Sequence, residues 1–307
     1  MNGTTTVQLA EKTAKAVTGS VEEWTGFLQS AARLYKYSYP EQLLIYAQRP
    51  DATACASYEI WNQTMRRYVR RGARGIALPD GAGAVRYVFD VADTGARKSS
   101  REVKTWALDE NNREAVAHAL ETQYGSAAKL GIAGQLEEIA MQQSMDYWQW
   151  HQDELRGIVD GSFLEGYDEL NLEIAFRNTA AASVKYMLLS RCNLAREHQI
   201  EPEELAGVLE WNTSAASGAL GSAISELSEG VLRQIERTIR QYERSQNHDE
   251  RTDVHEERRV LDSRPDSSRT ADGAEQIRTD AGMVSEGASD DHLQQPAPER
   301  EADRAPD

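Results

Sequence analysis

With 307 residues, 40% of them apolar, and a formal charge of −16, the chain is long enough for about two domains with cores of their own. Its mean hydropathy of −0.64 implies that part of it is not packed. No run approaches the roughly 18 apolar residues of a spanning helix, no apolar stretch near the start reads as a secretory signal, and the two cysteines, Cys55 and Cys192, lie too far apart in sequence to suggest a disulfide framework.

Residues 1–19 read as a flexible N-terminus. Ser20 then offers an N-cap, with Glu22 and Glu23 favouring the positive end of the helix that follows. Val21, Trp24, Leu28, Ala31 and Tyr35 recur at helical spacing and should face a core. Ser38 and Glu41 form a capping box, with Pro40 in the first turn. Leu43, Leu44 and Ala47 are the expected apolar face of that helix, which Pro50 ends. A third short helix from Ser57 is expected to bury Ile60, Trp61 and Met65.

From Tyr68 the composition turns to glycine and β-branched residues. Val85, Tyr87, Phe89 and Val91 alternate with Arg86, Val88 and Asp90, the pattern of a half-buried strand. The turn-forming stretch Pro79-Asp80-Gly81-Ala82-Gly83 predicts a hairpin between the flanking runs. Residues 105–125 read as a short strand and a helix ending near Gly125. Residues 126–244 read as all helix, with Ile224, Leu227, Val231, Ile235, Ile239 and Tyr242 forming one stripe. Trp148 and Trp150, two apart, cannot both face one side of a helix, and core packing is the favoured reading for this segment's aromatics. Residues 245–307 are polar, charged and sprinkled with Pro and Gly, so an acidic disordered tail is expected. The predicted class is α+β: helices plus a small antiparallel sheet over 20–125, an all-helical domain over 126–244, then the tail.

Few residues invite a catalytic reading. There is no Walker A motif, no C-x-x-C and no G-x-S-x-G. The stretch His255-Glu256-Glu257-Arg258-Arg259 has Arg259 where a metalloprotease helix needs its second histidine. His151 and Glu154 share a helix face but lack further ligands. No catalytic residue, metal or cofactor is expected, and a non-enzymatic protein is the favoured class.

The charge is unevenly distributed. Residues 60–104 carry ten lysines and arginines against four acids, a net +6, whereas residues 245–307 carry a net −9. Five arginines, Arg66, Arg67, Arg70, Arg71 and Arg74, fall within nine positions, beside Gly72 and Gly75, with Arg86 on the following strand. Tyr39, Tyr68 and Tyr87 interleave with them as candidate stacking surfaces. Arginines tracking a backbone beside aromatic rings suit a single strand of nucleic acid, whose base faces are free to stack. A solvated sheet edge that resists aggregation is the alternative structural role.

The order of residues over 20–92 resembles the N-terminal single-stranded-DNA-binding domain of ArdC-type antirestriction proteins. The resemblance rests on Trp24, Phe27, Leu28, Tyr37, Ser38, Gln48, Pro50, Ala52, Thr53, Trp61, Arg66, Arg70, Arg71, Gly72, Gly75 and Ile76. Glu41 stands where that family usually has Asn. The family's metallopeptidase domain has no counterpart motif in residues 126–244. The chain also looks like the leading segment of large conjugative-element proteins of Gram-positive bacteria, in which helicase or DNA methyltransferase domains follow a polar linker. The resemblance implies a single-stranded-DNA-binding protein of a mobile element that shields transferred DNA; the lack of a signal segment and of a spanning run leads to the expectation of a cytoplasmic protein with no membrane partner. A protein-interaction adaptor for a helicase, DNA methyltransferase or restriction enzyme is the alternative.

Overall fold

The structure, a computed structural model, describes residues 2–81, 83–195 and 200–262. The class is α+β, as expected. The chain divides into two units, residues 1–255 and 256–307. Within the described residues the second unit contributes only the end of the last helix, and the tail expected beyond Asp262 lies outside them.

The first departure from expectation is at the start. Residues 3–17 are not a flexible lead but helix α1 (Gly3–Val17), capped by Asn2, whose side chain accepts a hydrogen bond from the Thr5 amide. Its inward stripe is Thr6, Thr13, Ala14 and Val17, too weakly apolar to stand out in the sequence. The threonines bury easily because their hydroxyls are satisfied within the helix: Thr6 Oγ1 donates to the Gly3 carbonyl at 2.6 Å and Thr13 Oγ1 to the Leu9 carbonyl at 2.7 Å.

Helix α2 (Val21–Arg33) starts at the expected Ser20 cap, and α3 (Tyr39–Gln48) at the expected capping box. On α3, Leu43, Leu44 and Ile45 are buried, but Ala47 is exposed. Strand β1 (Cys55–Ser57) follows, then a single π-helical turn (Ile60–Thr64) in place of the predicted short helix. Trp61 is buried there, whereas Ile60 faces solvent and Met65 is half-buried.

Strands β2 (Tyr68–Val69), β3 (Ile76–Pro79), β4 (Val85–Asp90) and β5 (Thr94–Gly95) complete two small antiparallel sheets, ordered β1-β4-β3 and β2-β5. The predicted hairpin is present, with Ile76 opposite Val88 and Pro79 opposite Val85. Its inner face is the reverse of the simplest reading of the sequence. Val88 and Asp90 are buried, while Tyr87 is exposed and Phe89 half-exposed. Asp90 can be buried because its carboxylate is fully employed: Oδ2 accepts from the Thr53 and Ala54 amides and Oδ1 from the Ala92 amide, at 2.7–3.0 Å. Val88, Ile76 and Leu78 pack with Leu34, Leu44, Ile45 and Ala52 as a small core under the sheet.

The short strand predicted at the start of residues 105–125 does not form; Trp106 lies in an irregular segment before α4 (Arg113–Tyr124), which ends at Gly125 as expected. Helices α5 (Gly131–Gly157) and α6 (Glu169–Arg191) pair along their length. A short α7 (Pro202–Leu205) runs into a 3-10 turn (Ala206–Glu210) ahead of α8 (Ser214–Asp262). Thus α8 continues past the boundary expected near residue 244. Trp148 is buried and Trp150 is 84% exposed.

One large core contains residues from Ala14 to Ile239. Helix α2 meets α6, where Trp24 Nε1 donates to Ser183 Oγ at 3.0 Å, and Phe27 packs with the Trp24, Tyr39 and Tyr46 rings. Each such buried side chain contributes about 1.5–3 kcal/mol. The sequence boundary at 125/126 therefore does not interrupt the core.

Candidate nucleic-acid interface

The arginine run enters the two-stranded sheet and leaves it through a tight turn. The Ala73 amide donates to the Arg70 carbonyl at 3.1 Å, and Gly72 has φ +87°, the third-position conformation of a type II turn that favours glycine. Arg71 thereby projects from the turn's second position and is exposed. Arg74 is exposed just before β3, and the next residue, Gly75, has the Tyr87 and Phe89 rings so close that a β-carbon would meet them at 3.0–3.1 Å. Tyr87 and Phe89 occupy the same outward face of β4, with Phe89 opposite Ala56 on β1 and Tyr87 opposite Ala77 on β3.

A second basic stretch is tied to the first across about thirty residues of sequence. The Arg101 amide donates to the Met65 carbonyl at 2.9 Å, and Ser100 Oγ donates to the Arg66 carbonyl at 2.6 Å while accepting from the Arg97 amide. Arg66 itself adopts φ 53°, an uncommon conformation for a residue with a side chain, held at that serine. The pairing of Tyr68 with Gly95 completes the join; the Tyr68 ring lies against that glycine, with the Arg97 guanidinium 5.5 Å from its centroid. Arg97, Lys98 and Arg101 thus stand beside Arg66, Tyr68 and Arg70.

The acids of this region are spent elsewhere. Asp90 is buried under three amides, and Asp93 is ion-paired with Arg49, whose guanidinium is pushed up mainly by that hydrogen bond. Asp80 accepts from the Ala84 amide in the hairpin turn, leaving Glu102 exposed beside Lys104. The positive charge faces outward largely uncompensated. A cleft of about 460 Å³ lies where Arg74 and Gly75 approach Arg49, Pro50 and Asp51.

The candidate residues do not all share this surface. Arg66, Arg71 and Arg74 are exposed, and their side chains have no ion pair or hydrogen bond among the described residues; Arg70 reaches only the Ala92 carbonyl, at 3.4 Å. Tyr68 and Tyr87 are both exposed. Arg67 is instead half-buried, donating from Nε to Thr94 Oγ1 at 2.8 Å, a bond that fastens β2 to β5. Arg86 is exposed but paired with Glu41 at 2.5 Å, so its charge is locally neutralised. Tyr39 is the clear correction: it is 4% exposed in the core, edge-on to Phe27, and cannot meet a base. Two aromatics were not singled out from sequence as surface groups. Tyr58 is exposed after β1, and Phe89 shares the face of Tyr87; the signal for Phe89 was its two-residue spacing from Tyr87.

The thiols are unreactive by placement. Burial pushes both Cys55 and Cys192 up to about 12, so they stay protonated near neutrality. Among the described residues no three His, Cys, Asp or Glu side chains gather where they could hold a metal ion, and no helix is long and apolar enough to cross a membrane. Compared with known proteins, the chain matches no family model, no curated protein and no solved structure.

Proposed function

We propose that the chain is a non-catalytic single-stranded-DNA-binding protein, acting in the cytoplasm on the DNA of a mobile or conjugative element and shielding it during transfer. The observation that carries this reading is the convergence of two basic stretches around exposed tyrosines, with neighbouring acids turned inward or paired. Arg66, Arg70, Arg71 and Arg74, joined by Arg97, Lys98 and Arg101, neutralise phosphates. Tyr68 and the Tyr87–Phe89 face offer rings to bases, which only an unpaired strand exposes. The resemblance of residues 20–92 to ArdC-type domains supplies the biological setting. An adaptor role toward a helicase, DNA methyltransferase or restriction enzyme is the second reading, favoured by Trp150, an indole left in solvent on α5.

Fluorescence anisotropy tests the proposal with a labelled oligo-dT and a duplex of equal length. Binding to the single strand that is weaker on the duplex, and lost when Arg66, Arg70, Arg71 and Arg74 are changed to Ala, is the expected outcome. Absence of binding at low salt would overturn it.

A further inference from the structure

In contrast to the arginine face, helix α6 presents between two walls a stripe on which Asn171, Ile174 and Asn178 are exposed while Ala181 and Ala182 are buried. Asn171, Ile174, Ala175, Asn178, Ala181, Ala182 and Lys185 recur at three- and four-residue steps along it and floor a groove of about 910 Å³. Glu137 and Met141, one turn apart on α5, form one wall; Glu203, Glu204, Gly207 and Glu210, on α7 and the 3-10 turn after it, form the other. From Asn171 to Lys185 the floor is fifteen residues long, roughly 21 Å at 1.5 Å per residue. Both ends are bridged. Tyr167 donates to Glu210 at 3.1 Å at the start of α6, and Lys185 spans the walls, reaching Glu137 at 2.9 Å and Glu204 at 3.1 Å.

Two properties define what fits. The apolar contact surface is Ile174 on the floor, 44% exposed, together with Met141 on the α5 wall, 40% exposed, with the exposed Asn171 and Asn178 one turn to either side of Ile174. Among the described residues the rim carries Glu137, Asp168, Glu203, Glu204 and Glu210 against Lys185 alone, whose charge is already shared between two of them. An amphipathic helix of about four turns matches that length, and its apolar anchors would need flanking lysines or arginines to meet the rim. The chain's own residues 263–307 do not suit it, since they carry eleven acids against five arginines.

We infer that the α5–α6–α7 groove is a docking site for a basic amphipathic helix of a partner protein. This site is separate from the arginine face and does not depend on the nucleic-acid reading.

The test uses the full chain and a labelled eighteen-residue peptide of leucine, alanine and lysine, patterned as an amphipathic helix. A scrambled peptide of identical composition and an acidic amphipathic peptide serve as controls. Micromolar, salt-weakened binding of the amphipathic basic peptide alone is expected. It should weaken tenfold or more in Ile174→Glu and in the double variant Glu203→Lys/Glu204→Lys, while Arg66→Ala/Arg71→Ala/Arg74→Ala leaves it unchanged. Circular dichroism melts identify which variants retain the fold; because both sets of changes are at surface positions, either alone suffices. Equal binding of the scrambled peptide, or affinity insensitive to the folded groove variants, overturns the inference. So does sedimentation showing that the chain dimerises through the groove and that Ile174→Glu abolishes the dimer, since the occupant would then be a second copy.

Discussion

Tyr39 and Tyr87 were equivalent candidates in the sequence and are opposites in the structure. Tyr39 packs edge-on to Phe27 with ring centroids 5.7 Å apart, its hydroxyl has no hydrogen-bond partner among the described residues, and burial pushes the phenol well above its ordinary range. Tyr87 stands 46% exposed on β4. Changing Tyr87 to Ala should weaken oligo-dT binding by about 1–3 kcal/mol, the usual cost of a lost stacking ring, with little change in melting temperature. Tyr39→Phe should leave binding unchanged and raise the melting temperature, because it removes a buried polar group that costs about 1–3 kcal/mol when unsatisfied. Parallel titrations and melts of the two variants check both. Among the arginines, composition exposed the cluster but not its allocation. Nothing local to Arg67 announces that it donates to Thr94, twenty-seven residues away, or that Arg86 meets Glu41.

Elements with local signals were legible and those without were not. The Ser20 cap, the Ser38–Glu41 box, the hairpin and the helices after residue 126 all follow from short-range chemistry. Helix α1 escaped because its inner face is threonine and alanine, and the facing of β4 was ambiguous because a buried aspartate interrupts its apolar side. The two-residue strands β2 and β5 are defined only by each other. Edge strand β3 shows how a side chain can finish a sheet. Gln48 on α3 accepts from the Ala77 amide at 2.9 Å and donates to the Ala77 carbonyl at 3.0 Å, occupying the backbone groups that β4 does not use. Gln48→Ala should therefore cost about 1–3 kcal/mol, read as a lower urea midpoint, and should speed hydrogen exchange at the Ala77 amide. An unchanged midpoint and exchange rate would mean that water replaces the glutamine without loss.

At the scale of the molecule, a buried polar network joins segments that sequence analysis assigned to separate domains. Glu236 on α8 accepts from the Tyr35 hydroxyl at 2.5 Å and from Lys36 at 2.8 Å, and pairs with Arg240; Tyr35 accepts in turn from Trp106 Nε1 at 3.1 Å. The Arg191 guanidinium lies 3.4 Å from the Trp106 ring centroid. Desolvation would raise the Glu236 carboxyl, but the hydrogen bonds from Lys36, Tyr35 and Arg240 outweigh it and hold it at about 2, below its ordinary 4.5. A depressed carboxyl stabilises the fold above its unfolded value, and that contribution disappears as pH falls through the folded one. The melting temperature of the native chain should thus exceed that of Glu236→Gln near neutrality, and the gap should narrow between about pH 4.5 and 2. A gap independent of pH would assign the network's contribution to packing instead.

Charge is also organised at this scale. A chain of net charge −16 turns a basic face outward by pairing or burying nearby acids, and we propose that this face grips phosphates. The most direct measurement is the salt dependence of oligo-dT affinity for the native chain and for Arg66→Ala/Arg71→Ala/Arg74→Ala. Each phosphate neutralised on a single strand contributes about −0.7 to the slope of log K against log salt, so the triple variant should show a slope shallower by about 2. Identical slopes for the two proteins, or a native chain whose affinity ignores salt, would contradict the account.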